Sequence, residues 1–133
     1  MYDSALRQAI EQAVTRIDTT MTATAPFMAQ RVQKWLQQLS GTHQPADYFL
    51  HPVAFPMFLL PWWVEKTLQA DPNVPFQTDL AYSTANGYYY IRMIDNLMDG
   101  DADAELGLLP ALNFFHTEFQ RMYHLYFAAE HPF

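Results

Sequence analysis

The segment Gly87-Tyr88-Tyr89-Tyr90-Ile91-Arg92-Met93-Ile94-Asp95-Asn96-Leu97-Met98-Asp99-Gly100-Asp101 constrains the fold more than any other. It reads as the C-terminal half of a buried helix over 76–98, entered from the turn Asp71-Pro72-Asn73-Val74-Pro75 and broken by Gly100 to Asp103. Leu80, Ser83, Thr84, Gly87, Ile91 and Ile94 or Asp95 fall on one side of it. The small residues Ala81, Ser83, Ala85 and Gly87 permit close approach of another helix or a ligand. A glycine inside a helix costs about 1 kcal/mol against alanine, so Gly87 implies such an approach. Asp95 and Asp99, four apart, share one helix face with Cβ atoms roughly 5–6 Å apart. Two like charges at that spacing repel, and both oppose the helix dipole at a C-terminus. A cation is the simplest compensation.

The remaining pattern is helical throughout. Leu6, Ile10, Val14, Ile17 and Met21 recur at three and four residues, predicting a first helix capped by Asp3 or Ser4 and running to about Thr22. Pro26 opens a second over 27–39, with Phe27, Met28, Val32, Trp35, Leu36 and Leu39 as its apolar positions and Gly41 as its stop. A loop over 41–47 leads to a segment over 48–68 that is apolar nearly all round and interrupted by prolines, which predicts a broken buried helix. The pair Trp62-Trp63 within it reads as core in preference to the wall of a binding site. A last helix is expected over 106–128, with Pro110 near its first turns. No repeat, second domain or strand-like alternation interrupts this, so the expectation is one all-α domain, a bundle of about five helices over 1–133.

Composition sharpens the functional side. Half of the 133 residues are hydrophobic and 16% are aromatic, rich in apolar material for a chain of this length. That predicts helices buried on several sides, or an apolar cavity or interface covered by something else. A net charge of −7 argues against nucleic acid, which needs a basic footprint. Five of the fourteen acidic residues crowd into 95–105. Without cysteine there is neither a disulfide framework nor a thiolate metal site. The start Met1-Tyr2-Asp3-Ser4-Ala5-Leu6-Arg7 lacks the pattern of a signal peptide. The most apolar run, 53–64, is too short and too broken by Pro56 and Pro61 to span a bilayer. A soluble, cytoplasmic protein is the expectation.

Asp95-Asn96-Leu97-Met98-Asp99 resembles the aspartate-rich motif of class I isoprenoid synthases, the superfamily of trans-prenyl diphosphate synthases, squalene and phytoene synthases and terpene cyclases. That motif is Asp-Asp-x-x-Asp, or Asp-x-x-x-Asp in the squalene and phytoene branch. Asn96 at the second position fits the latter and leaves Asp95 and Asp99 as the transferable metal ligands. The resemblance spans roughly residues 80–128 and implies an Mg²⁺-dependent protein that binds an allylic prenyl diphosphate and ionises it. The outcome would be a longer prenyl diphosphate, a head-to-head condensed chain or a cyclised terpene. Arg92, three residues before Asp95, either pairs with Asp95 or Asp99 or offers a fork of donors to a phosphate oxygen. The resemblance places Gly87, Tyr88, Phe115 and Phe119 at an apolar pocket, although the aromatic set of the last helix reads more readily as core.

The superfamily's second acidic motif has no counterpart after Asp103. The resemblance therefore implies the N-terminal half of such a fold, one that self-associates or pairs with its missing half. Other readings stay open. A calcium loop at Asp99, Asp101 and Asp103 would place Ala104 where glycine belongs and Pro110 where glutamate belongs. His116, Glu118, Arg121 and His124 match no zinc spacing and read as polar residues of a partly exposed helix. Apart from catalysis, the chain could be a helical module that binds an apolar ligand or a partner helix, or a structural, self-associating domain.

Overall fold

The computed structural model describes residues 2–51, 57–100 and 106–132. It is all-α, as the periodicity predicts, and no strand occurs among the described residues. The order is α1 (Ser4–Thr24), α2 (Pro26–Ser40), α3 (Pro45–Leu50), α4 (Leu59–Leu68), α5 (Val74–Asp99), a 3-10 turn (Leu106–Leu108) and α6 (Leu109–Tyr126).

Local chemistry sets the ends. Asp3 caps α1 by accepting from the Leu6 N–H at 2.9 Å, and Asn73 caps α5 by accepting from the Phe76 N–H at 3.1 Å. Prolines stand in the first turns of α2, α3, α5 and α6, where a missing N–H costs nothing. Gly41 and Gly100 end α2 and α5 in the left-handed region, at φ values of 70° and 68°.

Helix α5 is the axis of the bundle, packed by α1 and by α6. Its buried seam is Ala81, Tyr82, Ala85, Asn86, Tyr89, Met93 and Asn96. Tyr89 sits at the centre of an aromatic cluster, its ring 6.0 Å from Trp35 of α2, 5.4 Å from Phe49 of α3 and 5.6 Å from Phe115 of α6. The α1 stripe Leu6, Ile10, Val14, Ile17 and Met21 is buried as its spacing predicts. On the α6 side, Gly87 lets the helices close: a Cβ there would lie 2.9 Å from the Phe119 ring. Ser83 fixes the same contact by donating to the Phe119 carbonyl at 2.7 Å.

A second, polar seam crosses α1, α5 and α6. The Tyr82 hydroxyl donates to buried Glu118 at 2.7 Å, and Arg121 donates to the same carboxylate oxygen. The guanidinium of Arg16 lies 4.3 Å above the Tyr82 ring and pairs with Asp79 at 2.8 Å. Burial, then the bond to Glu118, pushes the Tyr82 hydroxyl up to about 12.

Several boundaries differ from expectation. The supposed loop over 41–47 is shorter, because Pro45 opens the extra short helix α3. The expected broken, buried helix over 48–68 is instead α3 and α4 with residues 52–56 between them outside the described residues. Nor is α4 buried all round. It buries Leu59 and Trp62 but exposes Leu60, Trp63, Val64 and Leu68, so only the first of the two tryptophans is core. Trp62 is held by its Nε1–H, which donates to Asp3 at 2.8 Å, with Lys66 3.6 Å from the same carboxylate oxygen. No helix among the described residues is long and apolar enough to cross a membrane.

Two outcomes are expected. Gly87→Ala gains about 1 kcal/mol of helix propensity but forces the Phe119 ring aside, an overpacking cost of about 1–3 kcal/mol, so urea unfolding should show a net loss. In a Phe119→Ala background the same change should stabilise. For pH, the raised Tyr82 value means that the folded state favours the neutral phenol. Its contribution is intact below the unfolded value of about 10 and fades as pH rises toward about 12. Alkaline denaturation curves of Tyr82→Phe should be correspondingly flatter over that window.

Candidate functional site

One stripe of α5 leaves the buried seam at Ala81 and runs out to solvent. Gln77, Ala81, Thr84, Tyr88, Ile91, Asp95 and Asp99 recur at three or four residues and line one face. Exposure rises along it: Gln77 and Ala81 are buried, Thr84 and Tyr88 half-buried, and Ile91, Asp95 and Asp99 exposed. The N-terminal half lies against α4, leaving only a crevice of about 10 Å³ among Leu6, Met57, Phe58, Pro61, Leu80 and Thr84. The C-terminal half is open, and there Ile91 is 64% and Met98 81% exposed. An apolar surface thus leads directly to two carboxylates.

Within the open half, Arg92 Nη1 donates to Asp95 Oδ2 at 2.8 Å, the second of the two pairings its spacing allowed being the one to Asp99. Asp99 makes no hydrogen bond or ion pair among the described residues. The Arg92 Nε, by contrast, is buried without a partner. Asn96 turns inward. With its amide oxygen toward the core it accepts from Trp35 Nε1 at 3.2 Å, and its nitrogen donates to the Arg92 carbonyl at 3.2 Å. The motif therefore splits into two outward carboxylates and one inward amide.

Two turns up the stripe, Tyr88 and Tyr48 of α3 share a short hydroxyl–hydroxyl bond. Burial, then that bond, raises the Tyr88 hydroxyl well above the usual tyrosine range. The other expected pocket residues lie elsewhere. Phe115 has no exposed surface and belongs to the core cluster around Tyr89. Phe119 packs onto Gly87, so each fills the space the other leaves. Of the four, only Tyr88 shares the stripe with Asp95 and Asp99.

Two carboxylates with open space around them suit Mg²⁺, which takes one or two protein oxygens and completes its shell with water and phosphate. No group of three or more potential metal-ligating side chains gathers among the described residues. Asp101 and Asp103, needed for a calcium loop, lie outside them. On α6, His116 stacks on Tyr90 and His124 is exposed, whereas Glu118 is buried beneath Tyr82. The sequence reading of α6 polar residues as partly exposed missed that bond. The signal was a tyrosine on one helix facing a glutamate on another, which spacing within a single helix cannot reveal.

Asn96→Asp, which would recreate the doubled aspartate, should not add a ligand. It should place a carboxylate against the Arg92 carbonyl, with a loss of about 1–3 kcal/mol in urea unfolding at neutral pH that shrinks on acidification.

Comparison of the chain with protein-family models, with curated proteins and with solved structures finds no match.

Proposed function

We propose that this chain is an Mg²⁺-dependent isoprenoid synthase-like protein, binding the diphosphate of an allylic prenyl substrate through Asp95 and Asp99. The observation that supports this reading is the open stripe of α5, where half-buried Tyr88 and exposed Ile91 precede two exposed carboxylates one turn apart. A prenyl diphosphate has the same two-part chemistry, an apolar chain joined to a polyanion. Asp95 and Asp99 would hold the metal. Arg92 supplies guanidinium N–H groups to a phosphate oxygen, and Tyr88 and Ile91 offer apolar surface to the chain's first carbons. The metal, when bound, neutralises charge on the departing diphosphate. With the metal bound, the allylic C–O bond would break with its electron pair leaving on diphosphate, and the open face beside Tyr88 and Ile91 would have to be covered to keep water from the cation that remains.

A second reading rests on α4. The exposed Leu60, Trp63, Val64 and Leu68 form an apolar face on a helix with few polar residues, as suits a helical module that binds an apolar ligand, a partner helix or a second copy of itself. On that reading the carboxylates serve solubility.

Thermal unfolding separates the two. With Mg²⁺ and an unreactive thio-analogue of farnesyl diphosphate together, the midpoint should rise, a ligand at a hundredfold excess over its Kd contributing about 2.7 kcal/mol. Neither component alone should match that rise, and Asp95→Ala/Asp99→Ala should abolish it. A rise with the analogue alone, unaffected by the double substitution, would favour the apolar-binding module.

A further inference from the structure

Helix α4 keeps its charges on one side. Its charged residues are Glu65 and Lys66, and both turn to the bundle. Glu65 accepts from the Gln77 side chain at 2.5 Å and from the Asn73 N–H at 2.7 Å, and Lys66 lies 3.6 Å from the Asp3 carboxylate. Leu59 and Trp62 are buried beneath them. The outer face is Leu60, Trp63, Val64, Thr67 and Leu68, uncharged throughout. There Leu60 is 56%, Trp63 48%, Val64 51% and Leu68 79% exposed. A helix apolar on both faces belongs between two layers, and the described residues supply only the inner one.

Charge, symmetry and area select the outer layer. The chain carries a net charge of −7, so two copies repel wherever carboxylates meet, and this face brings none to the contact. The same lack of charge offers nothing to a basic partner. Leu60, Val64 and Leu68 form a row at i, i+4 and i+8, symmetric about Val64. Rows of that kind on two helices interdigitate at a crossing angle of about −50°. A twofold axis beside Val64 then sets Leu60 against Leu68 of the second copy, Leu68 against Leu60, and Val64 against itself. The patch is its own complement, as an isologous contact requires. The four apolar side chains leave roughly 300 Å² in water, and a twofold axis buries that area twice. With the flanking stems of Lys66 and Gln69 added, this remains under about 1,200 Å², the footprint of a weak, reversible interface.

We propose that the outer face of α4 is the contact of a reversible, twofold homodimer in which α4 packs antiparallel on α4 of a second copy. This rests on the reading of α4 as a docking surface, commits that surface to one occupant, and is independent of Asp95 and Asp99.

The test is sedimentation velocity of the whole chain across a wide concentration range, with tryptophan emission followed in parallel and circular dichroism confirming that each variant is folded. Wild type should pass from monomer to dimer as concentration rises, and its emission should move to shorter wavelength as Trp63 leaves water. Val64→Lys sets like charges together at the twofold axis and should raise the dimer dissociation constant about a hundredfold or more. Leu60→Lys and Leu68→Glu should each weaken the dimer, whereas the two together should return it to within about tenfold of wild type, because position 60 meets position 68 of the second copy. A dimer indifferent to Val64→Lys, or a double variant no better than either single one, would overturn the proposed contact. A monomer at every concentration would overturn it as well, and vesicles of phosphatidylcholine and phosphatidylglycerol then divide the causes. Emission that responds to them would keep α4 as a docking surface and give it to lipid. Emission that does not would sink the docking reading together with the dimer.

Discussion

Everything else in this bundle depends on the burial of Tyr89. Its ring meets Trp35, Phe49 and Phe115, so one side chain on α5 joins α2, α3 and α6. Large aromatic rings dominate core energetics because each removes about 150–250 Å² from water, and edge-to-face or tilted pairs add to that gain. With Tyr89 fixed inward, helical geometry leaves no freedom for its neighbours. Met93 and Asn96 follow it into the core, while Ile91, Asp95 and Asp99 are carried to the opposite side. The candidate site is thus positioned by a residue that takes no part in it.

The same geometry explains why Asn96 suits its place. A carboxylate facing Trp35 and the Arg92 carbonyl would lack the donors it needs, whereas an amide can accept from the indole and donate to the carbonyl at once. Asp95 and Asp99 face water, where mutual repulsion at one turn's spacing is screened and Arg92 offsets part of it. A helix end with outward carboxylates and an inward amide is therefore compatible with a stable bundle.

Much of this was legible beforehand. The three- and four-residue spacing of Leu6, Ile10, Val14, Ile17 and Met21 is a local signal, and local signals survive folding. Pro26, Gly41 and Gly100 act through backbone geometry alone, so the helix ends they mark were readable to within a residue or two. The Asp95 and Asp99 pair was visible for the same reason. What escaped was set by contacts between helices: that Gly87 and Phe119 close on each other, that Glu118 is buried under Tyr82, and that α4 leaves Trp63 outside while Trp62 goes in. Composition could announce an excess of apolar side chains but not which helix would leave them uncovered.

The Asp3 carboxylate divides its two oxygens between two tasks. One caps α1 through the Leu6 N–H, and the other receives the Trp62 indole and faces Lys66. Its partial burial raises its pKa, but the bonds from Leu6 and Trp62 and the charge of Lys66 outweigh this and hold it below the usual carboxylate value. Its contribution is therefore present above the ordinary aspartate range and is lost as pH falls through the depressed value. A single protonation would weaken two contacts together: the first turn of α1 would lose its side-chain cap, and Trp62 and Lys66 would lose their shared partner, leaving α4 held by its core side chains and by Gln77 of α5. The opening turn of the chain and one side of α4 are thus joined through a single acid-sensitive carboxylate.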